Sequence, residues 1–166
     1  MEFLEITDEL TTLSPLELFG GKIKALIERA APRDLYDVQK MLQHRVIDET
    51  QQDLLRKIIV FYLVLGSRKK VELPFKFNDI NALKYNQIHA NLTPVLKKSE
   101  RFDFEMAKTT VGQYLVNLMA LTDNEKLFIE NFNRDVYQPE LLFDDNAIIE
   151  RIKEHPMAVW KTKERV

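Results

Sequence analysis

Apolar residues recur every three or four positions along most of the chain, which is the spacing of amphipathic helices. The first stripe follows the run Ser14-Pro15-Leu16-Glu17, which combines a capping serine, a proline at the first helical position and a glutamate three residues after the cap. Its apolar members are Leu16, Phe19, Ile23, Ile27 and Ala30. Pro32 ends this stripe because it lacks an N–H group and disfavours helical backbone at Ala31. A second helix is predicted from about Arg33, and its stripe is Leu35, Val38 and Leu42.

The same spacing predicts further helices downstream. Asp48 can cap a helix over residues 49–65, and Gly66 is expected to end it. Later helices are predicted at 79–90, 93–98, 104–121, 123–135 and 146–154. Met106 and Val111 are among the residues of the 104–121 helix that we expect to be buried. Trp160, near the end of the chain, is expected to attach the tail to the helices.

These elements predict a mainly α protein built as a multi-helix bundle. Residues 2–6 (EFLEI) are a candidate for one short strand at the N-terminus. The content of 4 glycines and 6 prolines argues against a loop-rich β fold. The predicted organisation is therefore a strand and linker over residues 1–12, followed by a helical domain over residues 13–166.

Composition limits the classes of function. The chain of 166 residues has a net charge of −2 and a pI of about 6.0, so a phosphate site must be local. It has no cysteine, which excludes disulfides, thiolate zinc sites and cysteine nucleophiles. The N-terminus lacks the pattern of a signal peptide, and the longest apolar run, Ile58 to Leu65, is too short to span a bilayer. We expect a cytoplasmic protein with no membrane partner.

Charged residues concentrate where the first two helices meet. Lys22 and Arg29 lie on one face of the first helix, because they are seven residues apart. Past Pro32, the second helix begins with Arg33 and carries Asp34 and Asp37, which are three residues apart. Two interpretations follow. In one, Lys22 and an arginine face a triphosphate and the aspartates orient them or take a proton.

In the other interpretation, the arginines pair with Asp34 and Asp37 and fix the angle between the helices. Spacing alone favours this structural corner, because such ion pairs are common on helix surfaces. Gly20 and Gly21 each lower helix propensity by about 1 kcal/mol relative to alanine. Their presence suggests the close approach of another backbone or of a ligand at this helix.

The segment LFGGKIKALIERAAPRDLYDVQKM resembles the lysine segment and the Arg-Asp-Leu-Tyr-Asp segment of the AbiEii/AbiGii nucleotidyltransferase toxin family. These are toxins of type IV toxin–antitoxin, abortive-infection systems. Other segments resemble the same family in the same order: LLRKIIVFYLVLG, TPVLKKSERFDFEMAKTTV, YQPELLF and IERIKEHPMAVWK. Together they extend over nearly the whole chain from about Leu13.

The resemblance implies transfer of a nucleotide from an NTP to an RNA acceptor with Mg²⁺, and an antitoxin partner of the AbiEi type. It implies catalytic roles for Lys22, Asp37 and Asp34, and Asp37 is the better candidate of the two aspartates for such a role. Lys22 is expected to contact the nucleotide phosphates, with Arg29, Arg33 and Tyr36 as further nucleotide-binding or supporting residues.

The metal site of that family is expected to lie upstream of these segments, in a Gly-Ser turn and an Asp-x-Asp strand. We find no metal ligands here: the histidines show no ligand spacing, and Gly66-Ser67 with Asp79-Ile80-Asn81 lacks the second carboxylate. The chain therefore looks like the C-terminal half of such a toxin. We expect it to be inactive alone and to bind neither Mg²⁺ nor NTP tightly. Three origins stay open from the sequence: a truncated gene product, a fragment, or one half of a split gene, whose partner would be a separate N-terminal half.

A second hypothesis keeps the helical bundle but assigns no catalysis. The bundle would then be a binding module for RNA or for a partner protein. The basic groups Arg68-Lys69-Lys70 and Lys97-Lys98 are candidates for contacts with RNA phosphates. A solvated face is the preferred interpretation of these groups from sequence alone.

Overall fold

The computed structural model describes residues 14–92, 94, 96 and 102–163, without the side chains of residues 88 and 89. The predicted strand at 2–6 and the predicted boundary between residues 12 and 13 lie outside this part of the chain. Most of the predicted helix at 93–98 lies outside it as well. These predictions therefore stay predictions.

Helices make up the regular structure of the described residues, which contain no strand, and this confirms the mainly α prediction. Their bounds are α1 Pro15–Arg29, α2 Pro32–Gln43, α3 Gln52–Gly66, α4 Asn78–Asn81, α5 Tyr85–Asn91, α6 Phe104–Leu118, α7 Asp123–Phe132, α8 Asn146–Ile152 and α9 Pro156–Thr162. Short 3₁₀ turns at Glu49–Gln51 and Pro139–Leu141 precede α3 and α8. No helix in this part of the chain is both long and apolar enough to cross a membrane.

The first helix begins and ends as its sequence predicts. The Ser14 hydroxyl accepts a hydrogen bond from the Glu17 N–H at 3.2 Å, and the Glu17 carboxylate accepts one from the Ser14 N–H at 3.0 Å. At the other end Ala30 is left-handed, with φ of 45°, and its N–H donates to the carbonyl of Leu26. Pro32 then starts α2, because proline suits the first helical position.

The buried face of α1 packs on α3, and α1 also packs on α2. Gly20 belongs to this buried face, and a Cβ placed there would lie 2.8 Å from Cγ2 of Ile58. Gly20 therefore allows the close approach of α3. A Cβ placed at Gly21 would have no atom within 4 Å, so no contact within the described residues explains why this position is a glycine.

Several predicted helix bounds are wrong, and three of the differences have a cause in the structure. The helix predicted at 79–90 is two helices, since Leu83 turns into the core between them and its carbonyl accepts from Lys108. The 104–121 helix ends at Leu118, because Thr122 must be extended to cap α7. The 123–135 helix ends at Phe132, and Asp135 is left-handed with φ of 65°. The 49–65 helix opens with the 3₁₀ turn, and the 146–154 helix ends at Ile152.

Two burial predictions are also wrong. Met106 is 59% exposed and Trp160 is 64% exposed. The tail is attached instead by Ala158, which is fully buried, and by Lys161. The Lys161 ammonium donates to the carbonyl of Val64 at 2.8 Å and to the carbonyl of Ser67, at the end of α3. Burial lowers the pKa of Lys161.

Candidate functional site

The corner between α1 and α2 is set by the short link from Ala30 to Ala31. Left-handed backbone at Ala30 and extended backbone at Ala31 turn the chain back, so that α2 runs along α1. The turn places the outward residues of α1 opposite the first two turns of α2. This geometry is what brings the charged residues of the two helices together.

Lys22 and Asp37 are joined across the corner. The Lys22 Nζ atom lies 2.6 Å from Oδ2 of Asp37. Their side chains are 41% and 35% exposed, so both groups can be reached from solvent. The pair thus combines an ammonium and a carboxylate that a ligand can contact without any rearrangement of the core.

Arg29 and Asp34 form the second pair. The guanidinium donates from Nε to Oδ2 at 2.6 Å and from Nη2 to Oδ1 at 2.7 Å, so both carboxylate oxygens are engaged. The Asp34 side chain is 3% exposed and that of Arg29 is 66% exposed. The hydrogen bond to Asp34, and its negative charge, raise the pKa of Arg29. Asp34 therefore fixes Arg29 from the buried side and leaves the cation facing outward.

Arg33 does not pair with either aspartate, so that part of the structural-corner prediction is wrong. Its Nε atom donates to the backbone carbonyl of Asn91 at 2.9 Å, at the end of α5. Tyr36 is half-buried and meets Phe102 edge to face, with ring centroids 5.3 Å apart. The Lys40 Nζ atom lies 5.4 Å from the centroid of the Tyr36 ring. Both predicted supporting residues thus lie on α2 beside the corner and contact elements further along the chain.

Lys24, Glu28 and Ser67 form a polar cluster that sequence reasoning missed. Lys24 Nζ lies 2.7 Å from Oε2 of Glu28, and the Ser67 hydroxyl donates to Oε1 of Glu28 at 2.9 Å. A Cβ at Gly66 would lie 2.5 Å from Lys24 Nζ, so glycine leaves room for the lysine. The four-residue spacing of Lys24 and Glu28 is a signal for their pairing; the contact with Ser67 has no local signal.

The described residues contain no group of three or more histidine, cysteine, aspartate or glutamate side chains placed to hold a metal ion. The corner brings together Lys22 with Asp37 and Arg29 with Asp34. It does not bring Arg33 to either carboxylate. Its chemistry is therefore that of two outward cations, one accessible carboxylate and one buried carboxylate.

Comparison with known proteins finds a match to one protein family. No curated protein and no solved structure matches this sequence. The profile described as the nucleotidyl transferase AbiEii toxin of type IV toxin–antitoxin systems matches residues 2–110, which include the whole corner. The resemblance of the segments after residue 110 stays a prediction. Since the match spans more than half of the sequence, the chain belongs to the AbiEii family of nucleotidyltransferase toxins.

Proposed function

We propose that the corner binds the triphosphate of an NTP and takes part in transferring its nucleotide to an RNA acceptor. The observation that carries this proposal is the accessible Lys22–Asp37 pair, 2.6 Å apart, beside the outward guanidinium of Arg29. Two cations on one corner suit a polyphosphate, because charge-assisted hydrogen bonds to phosphate oxygens are strong. The pair also lies within the segment that the family profile matches.

Arg29 has hydrogen-bonding capacity left for a ligand. A guanidinium carries five N–H groups, and Asp34 accepts from two nitrogens, Nε and Nη2. The remaining N–H groups are available to phosphate oxygens. We assign Asp34 a positioning role rather than the catalytic role that the sequence suggested, because its two oxygens are engaged and its side chain is buried.

Asp37 is the better candidate for the proton acceptor. In the proposed step, the acceptor hydroxyl oxygen attacks the α-phosphorus, the bond from that phosphorus to the β-phosphate oxygen breaks, and pyrophosphate leaves. The hydroxyl proton passes to Asp37. Lys22 offsets part of the negative charge of the triphosphate, and when it turns to the phosphates it releases the Asp37 oxygen that it holds in the free protein.

The Mg²⁺ that the family resemblance implies does not fit the described residues. They contain no suitable group of ligands, and the Asp34 oxygens are both taken by Arg29. The proposed step therefore uses no metal ion held by these residues. We propose that the metal-binding carboxylates, of the Gly-Ser and Asp-x-Asp type, are supplied by a polypeptide segment outside them.

The test is label transfer from α-³²P-labelled NTPs to RNA. The 166-residue chain is mixed with a separately produced segment of a family member that carries the Gly-Ser and Asp-x-Asp elements. We expect Mg²⁺-dependent labelling of RNA that falls by about 10²-fold or more in Lys22→Gln and Asp37→Asn. Little labelling is expected from the chain alone.

A second exposed lysine–aspartate pair on this chain supplies matched controls. Lys126 and Asp123 of α7 lie 2.9 Å apart and are also accessible. Lys126→Gln and Asp123→Asn should leave labelling unchanged. Equal labelling by wild type and Lys22→Gln, or no labelling in any mixture, would overturn the proposal. Stable binding of RNA without transfer would favour the alternative, a non-catalytic helical binding module.

Family membership implies an antitoxin partner, because type IV systems pair each toxin with one. We propose that this partner is of the AbiEi type and that the pair acts in the cytoplasm. Co-expression with a tagged AbiEi-type protein should relieve growth arrest caused by this chain together with the segment that carries the Gly-Ser and Asp-x-Asp elements. Growth arrest that is unchanged by this protein, at equal toxin expression, would contradict the proposed antitoxin class.

A further inference from the structure

The segment from Ser67 to Val71 is held at both ends. At its start, the Ser67 hydroxyl donates to Glu28 and the Ser67 carbonyl accepts from Lys161. At its end, the Asn133 side chain accepts from the Val71 N–H at 3.1 Å and donates to the Val71 carbonyl at 2.8 Å. Residues from α1, α9 and the end of α7 thus fix a short stretch of irregular backbone.

Three cationic residues lie between Ser67 and Val71. Arg68, Lys69 and Lys70 are exposed, and none has an ion-pair partner among the described residues. Glu28 of α1, which accepts from the Ser67 hydroxyl, is already paired with Lys24. Glu72 follows the segment and is exposed. The basic segment 68–70 is therefore a local concentration of positive charge on a chain whose net charge is −2.

The basic segment begins close to the corner. Ser67 is bonded to Glu28, and the next residue along α1 is Arg29. Helices α1 and α3 pack with their C-terminal ends on the same side, since Gly20 lies against Ile58 and Lys24 lies against Gly66. Arg29 and the start of the basic segment therefore lie at the same end of the α1–α3 pair, where one extended polyanion can span both.

We propose that the basic segment 68–70 binds the phosphodiester backbone of the acceptor strand. The inference rests on the proposed function, because it names how the acceptor is held at the same corner. Consecutive exposed lysines suit a solvated phosphate chain, whereas protein interfaces are depleted in lysine and enriched in aromatic residues. The segment holds the strand through charge, and it contains no aromatic side chain for stacking on bases.

The test is the salt dependence of RNA binding, measured with the full chain and without NTP. Fluorescence anisotropy of a short fluorescein-labelled single-stranded RNA gives Kd between 50 and 200 mM salt. Since each neutralised phosphate of a single strand contributes about 0.7 to the slope of log Kd against log salt, loss of three contacts should lower the slope by about 2. We expect Arg68→Gln/Lys69→Gln/Lys70→Gln to show this change and roughly tenfold weaker binding at low salt.

A charge-matched variant controls for net charge. Arg45, Lys126 and Lys153 are exposed and lie on other parts of the surface, so Arg45→Gln/Lys126→Gln/Lys153→Gln removes one arginine and two lysines elsewhere. This variant should keep the wild-type slope. Thermal melts of both variants check that each is folded. An equal fall in slope in the two triple variants, or no fall in either, would overturn the inference.

Two further binding measurements distinguish a phosphodiester chain from an acidic protein as the ligand of the segment. Single-stranded DNA of the same sequence should show the same dependence on the segment, because the phosphodiester chain is shared. Polyglutamate should bind at least tenfold more weakly than RNA; equal binding would assign the segment to an acidic protein and overturn the inference. Failure of label transfer with segment-dependent RNA binding intact would count against the proposed reaction alone.

Discussion

Two arginine–carboxylate pairs in this molecule have the same chemistry and opposite placement. Arg56 of α3 donates from Nε to both oxygens of Glu125, at 2.9 and 3.0 Å, and also contacts Asp53. In that pair the arginine side chain is 13% exposed and the glutamate 1%, so both charges are in the interior. In the Arg29–Asp34 pair only the carboxylate is buried. An arginine that is mostly buried between two carboxylates fixes helices, whereas one that a buried carboxylate holds from one side can also contact a ligand.

The largest effect is expected from the interior pair. Glu125→Ala leaves Arg56 without its main partner inside the protein and removes the capping contact between Glu125 and Thr122. We expect the free energy of unfolding to fall by about 3–5 kcal/mol. Urea denaturation measures this. Glu130→Ala, at an exposed position of the same helix, should change it by less than about 0.5 kcal/mol, and a similar loss in both variants would contradict the comparison.

Substitutions of Arg29 and of Asp34 should differ in how much they lower the free energy of unfolding. Arg29→Gln leaves the buried Asp34 carboxylate unpaired, so unfolding free energy should fall by about 1–3 kcal/mol. Asp34→Asn should have a smaller effect, because the exposed Arg29 is solvated and the amide oxygen can still accept one hydrogen bond. Urea denaturation of the two variants and the double variant tests this order. A larger loss in Asp34→Asn would show that Arg29 depends on Asp34 more than its exposure suggests.

The two neighbouring glycines of α1, Gly20 and Gly21, extend the comparison between a packed and an open position to the backbone. Gly20→Ala places a methyl group against the branched side chain of Ile58, and we expect a net loss of about 1 kcal/mol after the gain in helix propensity. Gly21→Ala meets nothing within 4 Å and should raise stability by up to about 1 kcal/mol. Thermal denaturation of both variants gives the signs. Equal signs would contradict the packing difference.

The smallest effect on stability is expected from the ionisation of the Tyr114 hydroxyl. Burial raises the pKa of Tyr114 to about 12, while its hydroxyl donates to Gln52 at 2.7 Å. Because the folded pKa lies above the ordinary value of about 10, its stabilising contribution is complete below pH 10 and is lost as pH rises towards 12. Tyr114→Phe should reduce the late part of the tyrosinate absorbance titration by one phenol, while Tyr62 and Tyr137, whose pKa values burial also raises, still titrate late. An unchanged titration curve would contradict this.

Much of the α1–α2 region could be predicted from sequence because its determinants are local. The Ser14 capping box and the break at Pro32 are signals within a few residues of the structure they cause. The pairing of corner arginines with aspartates was correct for Arg29 and wrong for Arg33. The partner of Arg33 is a backbone carbonyl 58 residues away, and no spacing in the sequence predicts such a contact.

The family resemblance was confirmed over residues 2–110, and this assigned a class of function that spacing alone did not favour. The different placement of Asp34 and Asp37 could not be predicted. Both are aspartates in the first two turns of α2, and only the packed structure buries the first and leaves the second accessible. Trp160 shows the same limit, because apolarity predicted an anchor and the amphipathic Lys161 supplies it.

The contact of Lys161 with the end of α3 has a consequence for synthesis on the ribosome. The carbonyls of Val64 and Ser67 receive their ammonium donor from a residue 97 and 94 positions later in the chain. Domains are translated from the N-terminus, so α3 emerges well before this donor does. The end of α3, and with it the start of the basic segment, can reach its final arrangement only after Lys161 has left the exit tunnel.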